Sequence, residues 1–557
     1  MAFQDFDQIT QRRQQHRKQR LRKRITFALV SIVVVLLLAA AAAAVCVVVY
    51  NKQNQDEASE RNNESPPAPK PINAAITKKI CEESLMKAVD KNVSVKPVDI
   101  LKASFVFAPE EVEKVLKKVF GLKYDTPFER AALDDCLVLL NDAVEELNSS
   151  ISSIHGDFGK ISARTHDINN WLSAVLSYQQ TCIDGFPEGQ EKAAMEKLLK
   201  NAKELGSNAL AIVSQVFDIL LTLKGSSADR KLLGLDREGF PTWMSHENRR
   251  MLKADASKYT PNVTVAKDGS GNFRTISAAL SALPKTYTGR YVIYVKAGIY
   301  KENVVVNKTM VNVTTYGDGS QKTIVTGNKN YVDGVPTFQT ATFAVLGDGF
   351  LAQSIGFRNT AGPEKHQAVA LRVQADRSIF MNCRMEGYQD TQYAQAHRQF
   401  YRSCYITGTV DFIFGDAAIN NVTAQGRIDK RQTTGIVIQN CHILADAKLE
   451  PKKERFMSYL GRPWKEYSRT VIMKTQIGDL IQPEGWLEWS RDFALKTLYY
   501  PEFNNKGAGA DTSGRVKWPG YKVIKRDEVL KFTVGPFLQG ESWLKKPNIR
   551  VLFGLST

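Results

Sequence analysis

The apolar and polar positions divide the chain into stretches of different period. Residues 25–50, from Ile25 to Tyr50, form an uncharged run long enough to cross a bilayer. The basic cluster at residues 1–24 is predicted to stay cytoplasmic, which reads as a signal anchor with the remainder lumenal or outside. Residues 51–75 are polar, hold Pro66, Pro67, Pro69 and Pro71, and read as a linker. Across residues 76–224 the apolar positions recur at helical spacing. Ala131, Leu133, Leu137, Leu140 and Val144 do so with acids between them, and Trp171, Leu172, Val175 and Leu176 repeat the pattern. Several such stretches without strand-like runs predict an all-α, four-helix-bundle-like domain. Residues 225–262 are rich in Gly, Ser and charge. They carry two dibasic sites, Arg230-Lys231 and Arg249-Arg250, predicted as cleavage points for a processing protease.

From residue 263 to 557 the period changes to that of short strands. Tyr291–Val295, Asn303–Val306, Thr342–Val345, Ala368–Val373 and Ile436–Ile438 alternate with Gly, Asn and Asp turns. Phe380-Met-Asn-Cys383, Tyr401-Arg-Ser-Cys404 and Ile438-Gln-Asn-Cys441 share one pattern. Cys383 to Cys404 is 21 residues, Gln367 to Gln389 is 22, and Asp390 to Asp411 is 21. A period in the low twenties with short strands predicts an all-β parallel β-helix, one coil per repeat, with coils about 4.8 Å apart. The leucine pattern of a leucine-rich repeat is missing, and a propeller blade needs about twice the period.

Composition and charge narrow the partners. The 557 residues are 43% hydrophobic and 24% charged, which excludes wholesale disorder and a small disulfide-stapled scaffold. One long apolar run excludes a multi-span membrane protein. The net charge of +17 divides as +6 over residues 1–24, −4 over 25–252 and +15 over 253–557. A basic C-terminal part favours an anionic partner. On charge alone nucleic acid, anionic lipid and acidic polysaccharide all qualify; the exported address, supported by the sequons at Asn92, Asn148, Asn262, Asn307, Asn312 and Asn421, argues against nucleic acid. The seven cysteines include no CxxC pair, so no zinc site is predicted. Cys136 and Cys182 are a candidate disulfide pair that spacing alone does not fix.

Stacking puts residues one period apart on neighbouring coils, so Gln367, Gln389-Asp390 and Asp411 form a column. Two adjacent carboxylates do not both ionise easily; one pKa rises and a nearby cation keeps the other low. Flanking Gln amides are suited to a developing oxyanion. A ladder of Asx-type turns is the plainer reading of the same spacing. Metal binding is a third reading, but only two carboxylates and no histidine fall in register. No G-x-S-x-G elbow, H-E-x-x-H or Walker loop is present.

Five blocks carry a family likeness: Gly298-Ile-Tyr-Lys-Glu302, Gln367-Ala-Val-Ala-Leu371, Gln389-Asp-Thr391, Asp411-Phe-Ile-Phe-Gly415 and Leu460-Gly-Arg-Pro-Trp464. In this order they resemble plant pectin methylesterases. Leu133-Asp-Asp-Cys136 and Thr181-Cys-Ile-Asp184 resemble the pectinesterase-inhibitor-like pro-region, and the dibasic sites resemble that family's processing sites. The resemblance implies a right-handed parallel β-helix that hydrolyses galacturonate methyl esters of methyl-esterified pectin without a cofactor. It assigns Asp411 as nucleophile and Asp390 as general acid, then base. Gln389 and Gln367 stabilise the oxyanion, Arg462 holds Asp411 ionised, Trp464 stacks on a sugar ring and Thr337 touches substrate. Pectinesterase-inhibitor proteins are further expected partners. The implied location is a membrane-anchored precursor whose mature form lies in the cell wall.

Three departures stand out. Gln392 replaces the Leu that usually follows Gln-Asp-Thr, which predicts looser packing beside the acid. Cys404 to Cys441 spans only 37 residues, so most of one coil after Asp411 is absent. That loss predicts unstacked neighbours and Arg462 displaced from the acid pair. It motivates an alternative reading, a pectin-binding homologue with impaired turnover; a lyase or glycosidase on the same fold is a third. Finally, the helical part keeps Cys81, Cys136 and Cys182 but lacks the usual fourth cysteine near its start.

Overall fold

The computed structural model describes residues 97–154, 158–223, 259–287, 289–419, 423–544 and 551–555. The apolar run 25–50, Cys81, the proline linker and both dibasic sites lie outside them. No helix among the described residues is long and apolar enough to cross a membrane. The chain divides between Ile100 and Leu101 into two compact units. Only residues 97–100 of the first are described.

Among the described residues four long helices come first: α1 (Pro97–Phe120), α2 (Pro127–Ser153), α3 (Phe158–Asp184) and α4 (Gln190–Leu223). Thr126 starts α2 through a capping box with Glu129, and Pro127 occupies the first turn, where its missing N–H costs nothing. Cys136 of α2 is disulfide-bonded to Cys182 of α3, with Cα atoms 4.4 Å apart. α2 buries Ala132, Leu133, Cys136, Leu139, Leu140, Ala143 and Leu147. Ala131, Leu137 and Val144, expected on that face, are only half-buried. The interspersed acids depart further from a solvated face: Asp135, Asp142 and Glu146 are buried. The reason is a second packing surface. Asp135 accepts from Gln339 Nε2 (2.9 Å), and Asp142 accepts from Lys308 Nζ (3.0 Å) and from Gln374.

Beyond residue 259 the strands stack into a parallel β-helix. One sheet runs Val263–Val265, Tyr291–Val295, Val313–Gly317, Leu351–Gln353, Ser378–Met381, Gln399–Arg402. A second runs Val304–Val306, Phe343–Val345, Leu371–Val373, Gln392–Ala394, Ile413–Gly415, Ala424–Gln425. A third runs Gly298–Lys301, Thr323–Gly327, Gly356–Asn359, Arg384–Glu386, Tyr405–Thr407. Corners between sheets recur in left-handed backbone, as at Asn382, Ser403 and Asn440 (φ 53°, 51° and 54°). This is the polar position of the Cys-ending repeat, and Asn tolerates that geometry better than most residues. Inside, Phe380 stacks on its register partner Tyr401 at 4.8 Å.

The interruption after Asp411 does not strike all three sheets alike. The first sheet ends at Gln399–Arg402, and a new one begins at Ala418–Ile419, continuing through Gly435–Gln439, Thr470–Met473, Tyr500–Phe503 and Tyr521–Val523. The third ends at Tyr405–Thr407, and a separate pair, His442–Ile443 with Gln476–Ile477, follows. The second sheet continues. Phe414 pairs with Ala424, and Thr423 bridges Gly461 on the next coil. Among the described residues, strand pairing is thus interrupted on two sides and kept on the side that carries the column of acids.

Gln392 is fully buried. Its Nε2 donates to Tyr401 Oη (2.6 Å), and that hydroxyl donates to Gln399 Oε1 (2.8 Å), while Gln392 Oε1 has no partner. Tyr401 keeps its acceptor if Gln392 is removed, whereas a buried unpaired oxygen costs free energy. Gln392→Leu should therefore stabilise the protein by about 1 kcal/mol in denaturant unfolding; a comparable loss of stability would contradict this.

Candidate active site

Asp390 and Asp411 both adopt left-handed backbone (φ 62° and 47°) at the corner entering the second sheet. Gln392 pairs with Ile413, so Asp390 and Asp411 occupy equivalent places on adjacent coils. The Asp390 N–H donates to Val410 O (3.1 Å). Gln367 bridges Gln389, whereas Leu371 pairs with Gln392. Three residues thus face two, and the N–H groups of Ala370 and Leu371 both donate to Thr391 O (2.9 and 3.2 Å). This β-bulge accounts for the spacing of 22 at the glutamines against 21 at the aspartates. Gln389 and Gln367 are half-buried, and Gln367 Oε1 has no hydrogen-bond partner.

Arg462 reaches the column from the far side of the shortened coil. Its Nε and Nη2 donate to the two oxygens of Asp411 at 3.0 and 2.8 Å. The expected displacement of Arg462 does not occur, because the surviving second-sheet bridge positions it. A Cβ on Gly461 would lie 2.4 Å from Thr423 O, so only glycine permits this approach. There the Arg462 N–H donates to Thr423 O (3.2 Å). The guanidinium also lies 4.3 Å from the ring centroid of Trp489. Trp489 was missed in the sequence, although two tryptophans in Gly485-Trp-Leu-Glu-Trp489 were a visible signal.

Charge separates the two acids. Asp390 is buried, and its pKa is pushed well above the usual carboxylate range by burial first and by the charge of Asp411 second, with Arg462 opposing. The Arg462 pKa is raised, chiefly by its hydrogen bonds to Asp411. A two-pronged guanidinium contact is the geometry of an ionised carboxylate. The site therefore pairs an acid whose protonated form is favoured with a carboxylate gripped by a guanidinium.

A third acid also went unnoticed. Asp416 is buried, and burial pushes its pKa up to about 7. It accepts from Thr434 Oγ1 (2.6 Å), Gln425 Nε2 (3.1 Å) and Gln432 Nε2 (2.5 Å). These bonds join the segments on either side of the shortened coil.

Trp464 is half-buried and meets Phe414 edge-on at 6.0 Å. Thr337 opens the 3-10 turn Thr337–Thr340 before the second-sheet strand Phe343–Val345. Helix α3 packs against the same surface. Thr181 Oγ1 lies 3.3 Å from Tyr393 Oη, and Asp184 accepts from Lys465 Nζ at 2.8 Å. No group of three or more His, Cys, Asp or Glu side chains able to hold a metal ion occurs among the described residues.

A family model described as pectinesterase matches residues 262–541, half of the chain, and one described as plant invertase/pectin methylesterase inhibitor matches residues 72–212. The chain belongs to the pectinesterase family. The probable pectinesterase/pectinesterase inhibitor 13 of Arabidopsis thaliana is 46% identical over the whole of both chains. That alignment covers 620 positions, so the relative holds residues with no counterpart among these 557. Pectinesterase 3 of Citrus sinensis is 46% identical over 80% of each chain. The solved pectin methylesterase from carrot is 50% identical, covers 54% of this chain and all of its own, and superposes with a TM-score of 0.53. The chain is thus a pectinesterase, a carboxylic ester hydrolase, with an inhibitor-like helical pro-region.

In this pectinesterase, Asp411→Asn removes the second cause of the raised Asp390 pKa and leaves Arg462 unopposed. Asp390 should then titrate at lower pH than in the unaltered protein, as read from its side-chain carboxyl carbon by NMR. An unchanged or higher midpoint would overturn this electrostatic assignment.

Proposed function

We propose that the chain hydrolyses galacturonate methyl esters of homogalacturonan, releasing methanol and leaving free carboxylates. The observation that carries this reading is the acid pair: a buried Asp390, its pKa raised by that burial, beside an Asp411 gripped by Arg462. Asp411 attacks the ester carbonyl while Gln389 and Gln367 donate hydrogen bonds to the tetrahedral oxyanion. Asp390 gives its proton to the departing methoxide, and methanol leaves an acyl-enzyme on Asp411. Asp390, now a base, takes a proton from water, and the hydroxide formed attacks the acyl carbon and frees Asp411; the galacturonic acid released gives its proton to solvent and becomes the carboxylate. Arg462 orients the nucleophile throughout, Trp464 offers a ring to a sugar face, and Thr337 contacts the chain of the substrate. The +15 charge of residues 253–557 suits a polyanionic product.

Residues 1–24, 25–50 and 51–75 serve as cytoplasmic tail, membrane anchor and linker of a precursor. Residues 76–224 form the inhibitor-like domain, 225–262 the processing linker and 263–557 the catalytic domain. Cleavage after Arg230-Lys231 or Arg249-Arg250 frees the enzyme into the wall. The contacts of α3 with Tyr393 and Lys465 support a restraining role for the helices. Separate pectinesterase-inhibitor proteins are candidate partners of the freed domain. The alternative of a pectin binder with impaired turnover has no observation in its favour while Arg462 grips Asp411 through two nitrogens.

The test is methanol release from highly methylated pectin by the secreted protein after cleavage within residues 224–258. Asp411→Ala and Asp390→Ala should each lower the rate by about 10²–10⁴-fold. A raised pKa keeps Asp390 protonated further up the pH scale, so the rate should fall as pH rises through that pKa. Folded, cleaved protein that releases no methanol would overturn the proposal.

A further inference from the structure

Cys383 and Cys404 lie at matching corners of the two coils that carry the acids. Cys383 is seven residues before Asp390, and Cys404 is seven before Asp411. Met381 pairs with Arg402 on one side of this corner and Arg384 with Tyr405 on the other, so the two cysteines stand directly opposite each other. The ladder closes around them, with Tyr405 N–H donating to Cys383 O at 2.9 Å. The preceding residues, Asn382 and Ser403, share the left-handed corner geometry. Both thiols also take the same direction: Cys383 Sγ lies 3.3 Å from Met381 O and Cys404 Sγ 3.4 Å from Arg402 O. Adjacent strands are about 4.8 Å apart, within the Cα separation that a disulfide spans. Both cysteines are reduced in this structure, while Cys136 and Cys182 are bonded.

The coil that carries Cys404 has particular need of a tie. Among the described residues it ends the first and third sheets, and its second-sheet strand alone is paired on the far side. Cys441, next in the repeat, belongs to the following stack. Its strand pairs with Thr470–Met473, and its N–H lies 3.4 Å from Thr475 Oγ1.

We propose that Cys383 and Cys404 close into a disulfide that staples the Asp390 coil to the Asp411 coil. Cys404 is the more exposed of the two thiols, and Cys383 beside it lowers its pKa, whereas burial raises that of Cys383. Cys404 is therefore the first nucleophile. Its thiolate attacks the disulfide of a dithiol/disulfide carrier of the secretory pathway and forms a mixed disulfide, freeing one carrier thiol. Cys383, as thiolate, then attacks the Cys404 sulfur and the carrier leaves as a dithiol. Two electrons and two protons pass from the cysteine pair to the carrier. The bond closes a 21-residue step of one coil and fixes the spacing at which the two acids meet.

The test is peptide mapping of the secreted full chain, alkylated without reduction, enzymatically deglycosylated and cut with trypsin. The expected result is peptide 378–384 linked to peptide 403–427, with the link lost on reduction and absent from Cys383→Ser. Peptide 432–448, which holds Cys441, should carry the alkyl group. Alkylated, unlinked Cys383 and Cys404 would overturn the proposal, as would a link between 403–427 and 432–448. The map of the unaltered protein decides even where the variant fails to fold.

Discussion

The parallel register of the second sheet is the constraint on which the site depends. Gln392 opposite Ile413 sets Asp390 against Asp411, and Phe414 opposite Ala424 carries that sheet past the interruption. Because Thr423 then bridges Gly461, Arg462 meets Asp411 although Cys404 to Cys441 spans only 37 residues, less than two periods. A β-helix passes position along its axis from coil to coil, so a deletion should be felt by whatever follows it. Here pairing among the described residues breaks in two sheets after the Asp411 coil and continues in the third. The spared sheet bears the chemistry.

This asymmetry explains what the sequence made legible. A period of 21 or 22 residues requires stacked coils, and stacking brings Gln367, Gln389, Asp390 and Asp411 together without knowledge of any side-chain contact. The likeness of Leu460-Gly-Arg-Pro-Trp464 to the family's motif added Arg462. The effect of the shortened interval was not legible, because it depends on which sheet keeps its pairing. Spacing cannot tell that Gly461 lies against Thr423 or that Asp416 collects three donors across the gap.

The helices show another limit. Helical period identified α2, but a period describes one buried face, and α2 buries two. Asp135, Asp142 and Glu146 are buried against the β-helix, which a pattern of acids between apolar positions does not reveal. Gln392 is similar: a polar residue in an apolar position signals looseness until Tyr401 and Gln399 supply a short hydrogen-bonded chain. In both cases non-local partners decide the meaning of a polar residue, as expected where burial makes an unpaired group costly.

The most direct measurement is kcat for methyl-ester hydrolysis by the cleaved enzyme and its Arg462→Met form at one pH, with melting curves to show that both are folded. If the guanidinium orients Asp411 across the shortened coil, kcat should fall by about 10²–10³-fold with the melting curve little changed. An unaltered kcat in the folded variant would contradict the place given to Arg462, and with it the claim that the second sheet preserves the site.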